Sequence, residues 1–262
     1  MRRVHLIELH ELPGFPSVWR DLVTDFLSFF FRVFRPYARA APLLGEALAA
    51  AGSRRVVDLC SGAGAPVLSV LPELEALGRA PGSVVLTDLY PNLEAFRRAA
   101  AAGSGRVDFV AEPVDATAVP AHLGGFRTLF TAFHHFPPER ARQVLEDARR
   151  DADGIAVFEF TERKLWLWAV PVLLIPLLAA ACTPFIRPFA WRRLLFTYLL
   201  PVVPAVAGWD GLVSNLRTYS PPELLELAEL DADDPFVWRA GRVPALGLSG
   251  ITYLVGWRTG GS

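Results

Sequence analysis

Cysteine, lysine and methionine are scarce in this 262-residue chain. The two cysteines, Cys60 and Cys182, lie far apart with no C-x-x-C spacing. That excludes a disulfide framework and a cysteine-based zinc site, and it fits a reducing compartment. Lys164 is the only lysine among 26 basic residues, and 27 acidic residues bring the formal net charge to −1. Charge this balanced leaves no electrostatic footprint for nucleic acid, so no nucleic-acid partner is expected. The N-terminus, M-R-R-V-H-L-I-E-L-H-E-L-P-G, scatters charges where a signal peptide needs a continuous apolar core. Internal repeats and low-complexity linkers are also missing. A cytoplasmic chain is the expectation.

Apolar residues are abundant. They make up 52% of the sequence, and the mean hydropathy is +0.32. Pro13, Gly14 and Pro16 mark a loop, after which Ser17 is placed to cap a helix from Val18 to Phe34, ended by Pro36. A second helix, Tyr37–Ala51, stops at Gly52. Strands and helices then alternate. Strands are predicted at Val56–Leu59, Ser83–Thr87, Val107–Val110, Phe126–Ala132 and Gly154–Phe160. Helices are predicted at Ala65–Leu77 (with an irregularity at Pro72), Pro91–Ala102 and Pro138–Arg150. Such alternation implies a parallel sheet covered by helices on both faces. After an interruption, Ser220-Pro221-Pro222-Glu223 opens a helix to Leu230, and two strands close the chain near Phe236–Arg242 and Ile251–Arg258.

The stretch Arg54–Ala65, R-R-V-V-D-L-C-S-G-A-G-A, is a strand running into a glycine-bearing turn and then a helix. Such a turn brings bare backbone close to a small ligand. A pyrophosphate cradle wants G-x-G-x-x-G, and here Gly62 and Gly64 are followed by Val67 at the third position. That disfavours a nicotinamide-binding oxidoreductase. S-adenosylmethionine carries no phosphate and makes no such demand. Three further segments fall at predicted strand ends, where open parallel sheets bind ligands: Asp88-Leu89, Asp115-Ala116 and F-T-A-F-H-H-F from Phe130 to Phe136. Each acid also has a structural reading. Asp58 ties down its turn through backbone N–H groups, Asp88 caps the helix near Pro91, and Asp115 makes an Asx turn.

Over residues 54–160, and more weakly 219–258, the chain resembles the class I S-adenosylmethionine-dependent methyltransferases. Their first motif, D-x-G-x-G-x-G, is matched by Asp58-Leu59-Cys60-Ser61-Gly62-Ala63-Gly64, with Cys60 in place of the first glycine. The resemblance implies an α/β fold with a doubly wound, mostly parallel seven-stranded sheet of order 3-2-1-4-5-7-6, the last strand antiparallel. It implies S-adenosylmethionine as cofactor, held by Asp58, Cys60, Ser61, Gly62, Gly64, Asp88, Leu89, Asp115, Ala116 and Phe133. Asp88 matches the acid that holds the ribose hydroxyls, and Asp115-Ala116 the pair that meets the adenine.

The fourth motif carries His134 and His135. Adjacent residues on an extended segment point to opposite sides, so at most one of them faces the methyl donor. His134 is the candidate general base, against the alternative of a histidine bonded within its own loop. Methyl transfer from a sulfonium gains mainly from positioning, and a base is required only for a protonated acceptor. Glu159 and Glu162 are further candidates, each with a structural alternative. His134, His135 and a carboxylate lack a spacing such as H-x-x-x-H, so no metal is expected.

Residues 165–186 and 194–209 contain no charge, and Arg187, Arg192 and Arg193 lie between them. Pro171, Pro176, Pro184, Pro201 and Pro204 break these runs, and a hairpin would place the arginines against the positive-inside tendency. A shallow or re-entrant insertion at the cytoplasmic membrane surface fits better, with those arginines and Trp166, Trp168, Trp191 and Trp209 at headgroup level. A lid lining a pocket for an apolar substrate is the alternative. Three units are therefore expected: an N-terminal helical cap at 1–53 over the site, a cofactor-binding domain of 54–162 with 219–262, and an apolar insertion at 163–218. The function expected is methyl transfer to an apolar or lipid-like small molecule. The alternative is a membrane-associated binding or scaffold protein that keeps the fold without catalysis.

Overall fold

The computed structural model describes residues 3–163, 170–228, 236–245 and 249–258. Its centre is a seven-stranded sheet: β1 (Arg55–Asp58), β2 (Ser83–Leu86), β3 (Val107–Phe109), β4 (Phe126–Phe130), β5 (Gly154–Glu159), β6 (Phe236–Pro244) and β7 (Gly250–Arg258). The order across the sheet is β3-β2-β1-β4-β5-β7-β6. The first five strands are parallel, and β7 runs antiparallel to both β5 and β6.

The strands are buried on both faces because each alternates two apolar sets with period two. Val56, Phe126, Ala156, Phe158 and Val255 point one way. They pack under α2 (Ala41–Ala50), α3 (Ala65–Ala76) and α4 (Leu93–Ala102). Val57, Leu129, Ile155, Val157 and Leu254 point the other way, under α5 (Pro138–Asp151) and α9 (Pro221–Ala228). Ser220 opens α9, and Glu223 reaches back to its backbone N–H at 2.7 Å.

Several boundaries differ from the sequence expectation. Ser17 lies inside α1 (Ser17–Phe34), where Pro16 occupies the cap position without a side-chain bond. The expected second helix starts as a 3₁₀ turn, Pro36–Ala40, because Arg35 adopts φ 45° and forces a change of direction. Pro72 leaves α3 continuous. The cap also divides. α2 joins the helical layer on the sheet, while Phe30 and Phe31 of α1 pack on Phe160 past the end of β5 and the segment before α1 reaches the loop after β4.

Beyond β5 the chain forms a π-helical turn (Val170–Leu174), α6 (Ile175–Cys182), the short α7 (Trp191–Leu194) running into a second π turn (Leu195–Leu199), and α8 (Val202–Arg217). These pack on α1 through two small apolar clusters. Phe26 meets Ala179, Cys182 and Ala207, while Leu22 and Val23 meet Val203 and Val206.

Candidate active site

The glycine turn after β1 is stitched to the end of β2. Ser61 Oγ and Thr87 Oγ1 both donate to the Asp58 carbonyl, at 2.8 and 2.9 Å, and Ser61 N–H donates to the Thr87 carbonyl at 2.9 Å. Cys60, Gly62 and Gly64 all have positive φ, of 54°, 56° and 73°. The two glycines serve different ends. A Cβ on Gly64 would meet Leu86 Cδ1 at 2.8 Å, so that glycine lets α3 approach the sheet, whereas a Cβ on Gly62 would meet nothing within 4 Å. Gly62 thus presents bare backbone to an open side. Cys60 adopts the left-handed conformation without being glycine, at a cost of roughly 1–2 kcal/mol. Burial, followed by the charges of Asp88, Asp58 and Asp115, pushes its thiol pKa up, so it is no thiolate nucleophile.

The acids take distinct positions. Asp88 accepts from Gly62 N–H and Tyr90 N–H, each at 2.9 Å, which joins the ends of β1 and β2. It does not cap α4, because Asn92 does that by accepting from Ala95 N–H at 3.0 Å. Leu89 beside it is exposed, and the Asp88 carbonyl accepts from Val114 N–H, drawing in the loop after β3. In that loop Asp115 makes the Asx turn, accepting from Thr117 N–H at 2.9 Å, and pairs with Arg140 at 2.8 Å. Burial opposes its charge, but the Thr117 and Arg140 contacts hold its pKa below the usual value. Ala116 is buried.

Asp58 behaves otherwise than expected. Its carboxyl is buried and accepts from Thr128 Oγ1 on β4 at 2.7 Å, so the side chain braces the sheet and the turn is held by its carbonyl. Burial pushes its pKa up to about 7, against the pull of the Thr128 and Ser61 contacts.

Residues Phe133–His135 form a 3₁₀ turn, which sets the two imidazoles on the same side with ring centroids 4.2 Å apart. The opposite-side expectation assumed extended backbone. Phe133 is fully buried beside Phe136 and Tyr219, in the cluster against which Cys60 of the glycine turn packs.

His134 is buried as well. Its Nδ1 lies 2.7 Å from Glu159 Oε2, and its backbone N–H donates to Glu159 Oε1 at 3.1 Å. Burial disfavours its charge, but Glu159 and then Glu8 overcome this and raise its pKa to about 10. Buried, with Nδ1 held by Glu159, the His134 ring is not open to an acceptor as a general base has to be. Glu162 is likewise buried, with its backbone N–H bonded to Asn215 Oδ1 at 3.0 Å.

Sequence reasoning missed the segment that closes over this loop. Arg3 donates to the carbonyls of His134 and Phe136 at 2.9 and 3.0 Å, and Leu9 N–H donates to Asp210 Oδ1 at 2.6 Å. Glu8 accepts from Ser214 Oγ at 3.0 Å, and Glu11 pairs with both Arg217 Nη1 and Nη2 at 2.7 Å. The only sequence signal was E-L-H-E at 8–11, which spaces Glu8, His10 and Glu11 closely. Their partners lie some 200 residues away on α8, and only the fold joins them.

A polar cavity of about 270 Å³ lies further along the edge, lined by Arg163, Thr218, Tyr219, Ser220, Glu223, Arg242 and Thr252. It is separate from the glycine turn.

No protein-family model and no curated protein matches the chain. Solved structures do. The plantazolicin methyltransferase BpumL in complex with SAH is similar over 92% of this chain and 96% of its own length, at 10% identity and a TM-score of 0.52. A Rhodobacter sphaeroides protein described provisionally as a zinc-dependent alcohol dehydrogenase is similar over 90% of this chain and 98% of its own, at 14% identity and a TM-score of 0.51. An O-methyltransferase family protein from Burkholderia thailandensis covers 86% of the chain at 17% identity with a TM-score of 0.46, and this chain spans 58% of its length. At such identities the likeness is one of fold.

The fold is that of the class I S-adenosylmethionine-dependent methyltransferases: five parallel strands, with an antiparallel β7 set between β5 and β6. The all-parallel order of a dinucleotide-binding sheet is different.

Proposed function

We propose that the chain is an S-adenosylmethionine-dependent methyltransferase acting on an apolar or membrane-partitioned small molecule. The observation that carries the first half is the meeting of Gly62, Asp88 and the Asp115 loop at the ends of β1, β2 and β3, around a glycine with open space in front of it. The group supplied by the cofactor is a methyl on a sulfonium. Asp88, already oriented by two N–H groups, keeps lone pairs for the ribose hydroxyls. Leu89 and Asp115-Ala116 would hold the adenine, and the backbone from Cys60 to Gly64 would receive the amino-acid end, with Ser61 and Asp58 bracing that turn. Transfer to a polarisable acceptor then depends on alignment, which fits the absence of a free base at His134.

The acceptor half rests on the insertion. Leu173, Leu177, Phe185, Phe189, Trp191 and Leu199 are exposed and apolar, as contact with lipid requires. Among the described residues no single helix is long and apolar enough to cross a membrane. Trp191–Leu199 and Val202–Arg217 together have the length and composition for it but bend by 72°. This supports shallow contact with a membrane surface. Arg187, Arg192 and Trp191 are exposed, as headgroup contacts require. Arg193 is not available, being buried and paired with Asp25 at 2.5 Å, and Trp209 donates to the Ile7 carbonyl at 3.2 Å. Trp166 and Trp168 lie outside the described residues.

A second reading, a binding protein without catalysis, is favoured by the closed loop around His134. Incubation with methyl-labelled cofactor and a total lipid extract separates the two. Label in the organic phase is the outcome expected of the enzyme, and saturable cofactor binding without transfer is that of the second reading.

A further inference from the structure

Four carboxylates, those of Glu8, Glu11, Glu159 and Asp210, gather where the N-terminal segment crosses the loop after β4. They share one guanidinium, Arg217, and three imidazoles, those of His10, His134 and His135. With neutral imidazoles the four carboxylates outnumber the nearby guanidiniums of Arg217 and Arg3, and the excess negative charge is mostly out of water, which protein interiors do not hold without compensation. Protons on the imidazoles are one answer, and a cation is the other.

The geometry favours the cation at one place. His134 Nε2 is buried and has no hydrogen-bond partner. It points toward Glu8 Oε1, 3.5 Å away, too far for a good hydrogen bond. His135 Nδ1 lies 3.9 Å from the same oxygen, and one ligand atom from each of Glu8, His134 and His135 falls within 4.8 Å of the others. Ligands held about 2.0–2.2 Å from a tetrahedral ion stand roughly 3.4 Å apart, so these atoms need to move by only a fraction of an ångström to about one ångström.

The far nitrogen of His134 completes the pattern. Nδ1 faces the Glu159 carboxylate at 2.7 Å, the outer contact that fixes the tautomer of a metal-bound histidine and leaves Nε2 as the ligand. Arg217 holds Glu11 through both terminal nitrogens, and its 3.3 Å contact with Glu8 is the one an ion replaces. His135 Nδ1 has a partner, Glu11 Oε1 at 2.7 Å, which the ion displaces. A neighbouring trio, Glu8, His10 and Asp210, is less suited, because among the described residues it holds no unpartnered buried atom to match His134 Nε2.

We infer that Glu8, His134 and His135 form a binding site for one divalent transition cation of the zinc class, and that the ion fastens the N-terminal segment to the loop after β4. The site is independent of the methyl-transfer reading. The metal-ligand spacing absent from the sequence is supplied by the fold, since Glu8 arrives from a distant segment.

The test uses the full chain, stripped with a chelator and titrated with cobalt(II) alone and then zinc(II) alone. The expected result is one cobalt per chain with visible d–d absorption, displaced by one zinc, together with a higher melting temperature in zinc and slower hydrogen exchange over residues 3–12. Glu159→Gln, which alters only the outer contact, weakens zinc binding by roughly 10–100-fold. His135→Gln and Glu8→Gln abolish the cobalt spectrum. A folded wild-type chain that gives no saturable cobalt spectrum and a zinc-independent melting temperature overturns the site, and protons then balance the carboxylates. Binding that survives His135→Gln but is lost in His10→Gln overturns it too. The wild-type readouts decide the matter even where a variant fails to fold.

Discussion

The two halves of the strand edge answer the same problem, polar groups at the end of a sheet, in opposite ways. After β2 and β3 the acids Asp88 and Asp115 are partly exposed, and backbone N–H groups or one surface arginine meet them. Asp88 and Asp115 are held in place yet retain acceptor capacity toward solvent. At β4–β5 the charged groups are buried and consume one another: Glu159 takes His134, Glu11 takes Arg217, and Asp210 takes His10 and Leu9 N–H. Oriented groups that face solvent make an open ligand site, whereas buried groups that face one another make a closure, one that a cation on Glu8, His134 and His135 fastens further. The first half is therefore read as the donor side, and the second as the seal over whatever the acceptor side admits.

The largest effect expected from breaking this contrast is at Glu159. In the metal-free chain Glu159→Ala leaves a buried imidazolium without its closest partner, and loss of one member of a buried pair costs about 3–5 kcal/mol. Chemical denaturation measures this. A change below about 1 kcal/mol contradicts the closure.

Asp58 gives the next largest effect. Its folded pKa of about 7 stands above its ordinary 3.8. The folded chain keeps a proton that the unfolded chain has released. The associated stability is fully present below about pH 4 and is lost as pH rises toward 7, by up to about 4 kcal/mol. Asp58→Asn removes this slope. Parallel stability–pH curves for the two proteins would sink the assignment.

Cys60→Gly gives a smaller effect. Glycine relieves the left-handed strain at φ 54° but adds unfolded-state freedom, for a net gain of up to about 1 kcal/mol in thermal unfolding. The insertion is probed by flotation with phospholipid vesicles. Leu173→Asp with Leu177→Asp is expected to reduce co-flotation without changing cofactor affinity. Equal flotation of both proteins argues against membrane contact through that face.

How much of this was legible in the sequence follows the same division. Strand and helix periodicity is local, so the β/α alternation and both sheet faces could be read from Val56-Val57 or Gly154–Glu159 directly. The Gly62–Gly64 turn and the acids at Asp88 and Asp115 are each defined by a few neighbouring residues, and their positions at strand ends follow from order along the chain. The closure is different. Glu8, His134, Glu159, Asp210 and Arg217 come from four separated segments, and no local pattern announces that they meet. His134 was legible as a residue type at a strand end, but its burial was not, because the covering segment lies at the other end of the sequence. Tertiary packing also decided the role of α2, whose alanine and leucine face suits the sheet as well as a cap.

The central claim is that the open half holds S-adenosylmethionine through Asp88, and calorimetric titration of that molecule tests it most directly. The account predicts saturable one-to-one binding to the wild-type chain. Asp88→Ala should weaken it by roughly 10- to 150-fold, the equivalent of about 1.5–3 kcal/mol for a charge-assisted contact, while Glu159→Gln leaves it intact. Equal affinity in wild type and Asp88→Ala would contradict the placement of the cofactor.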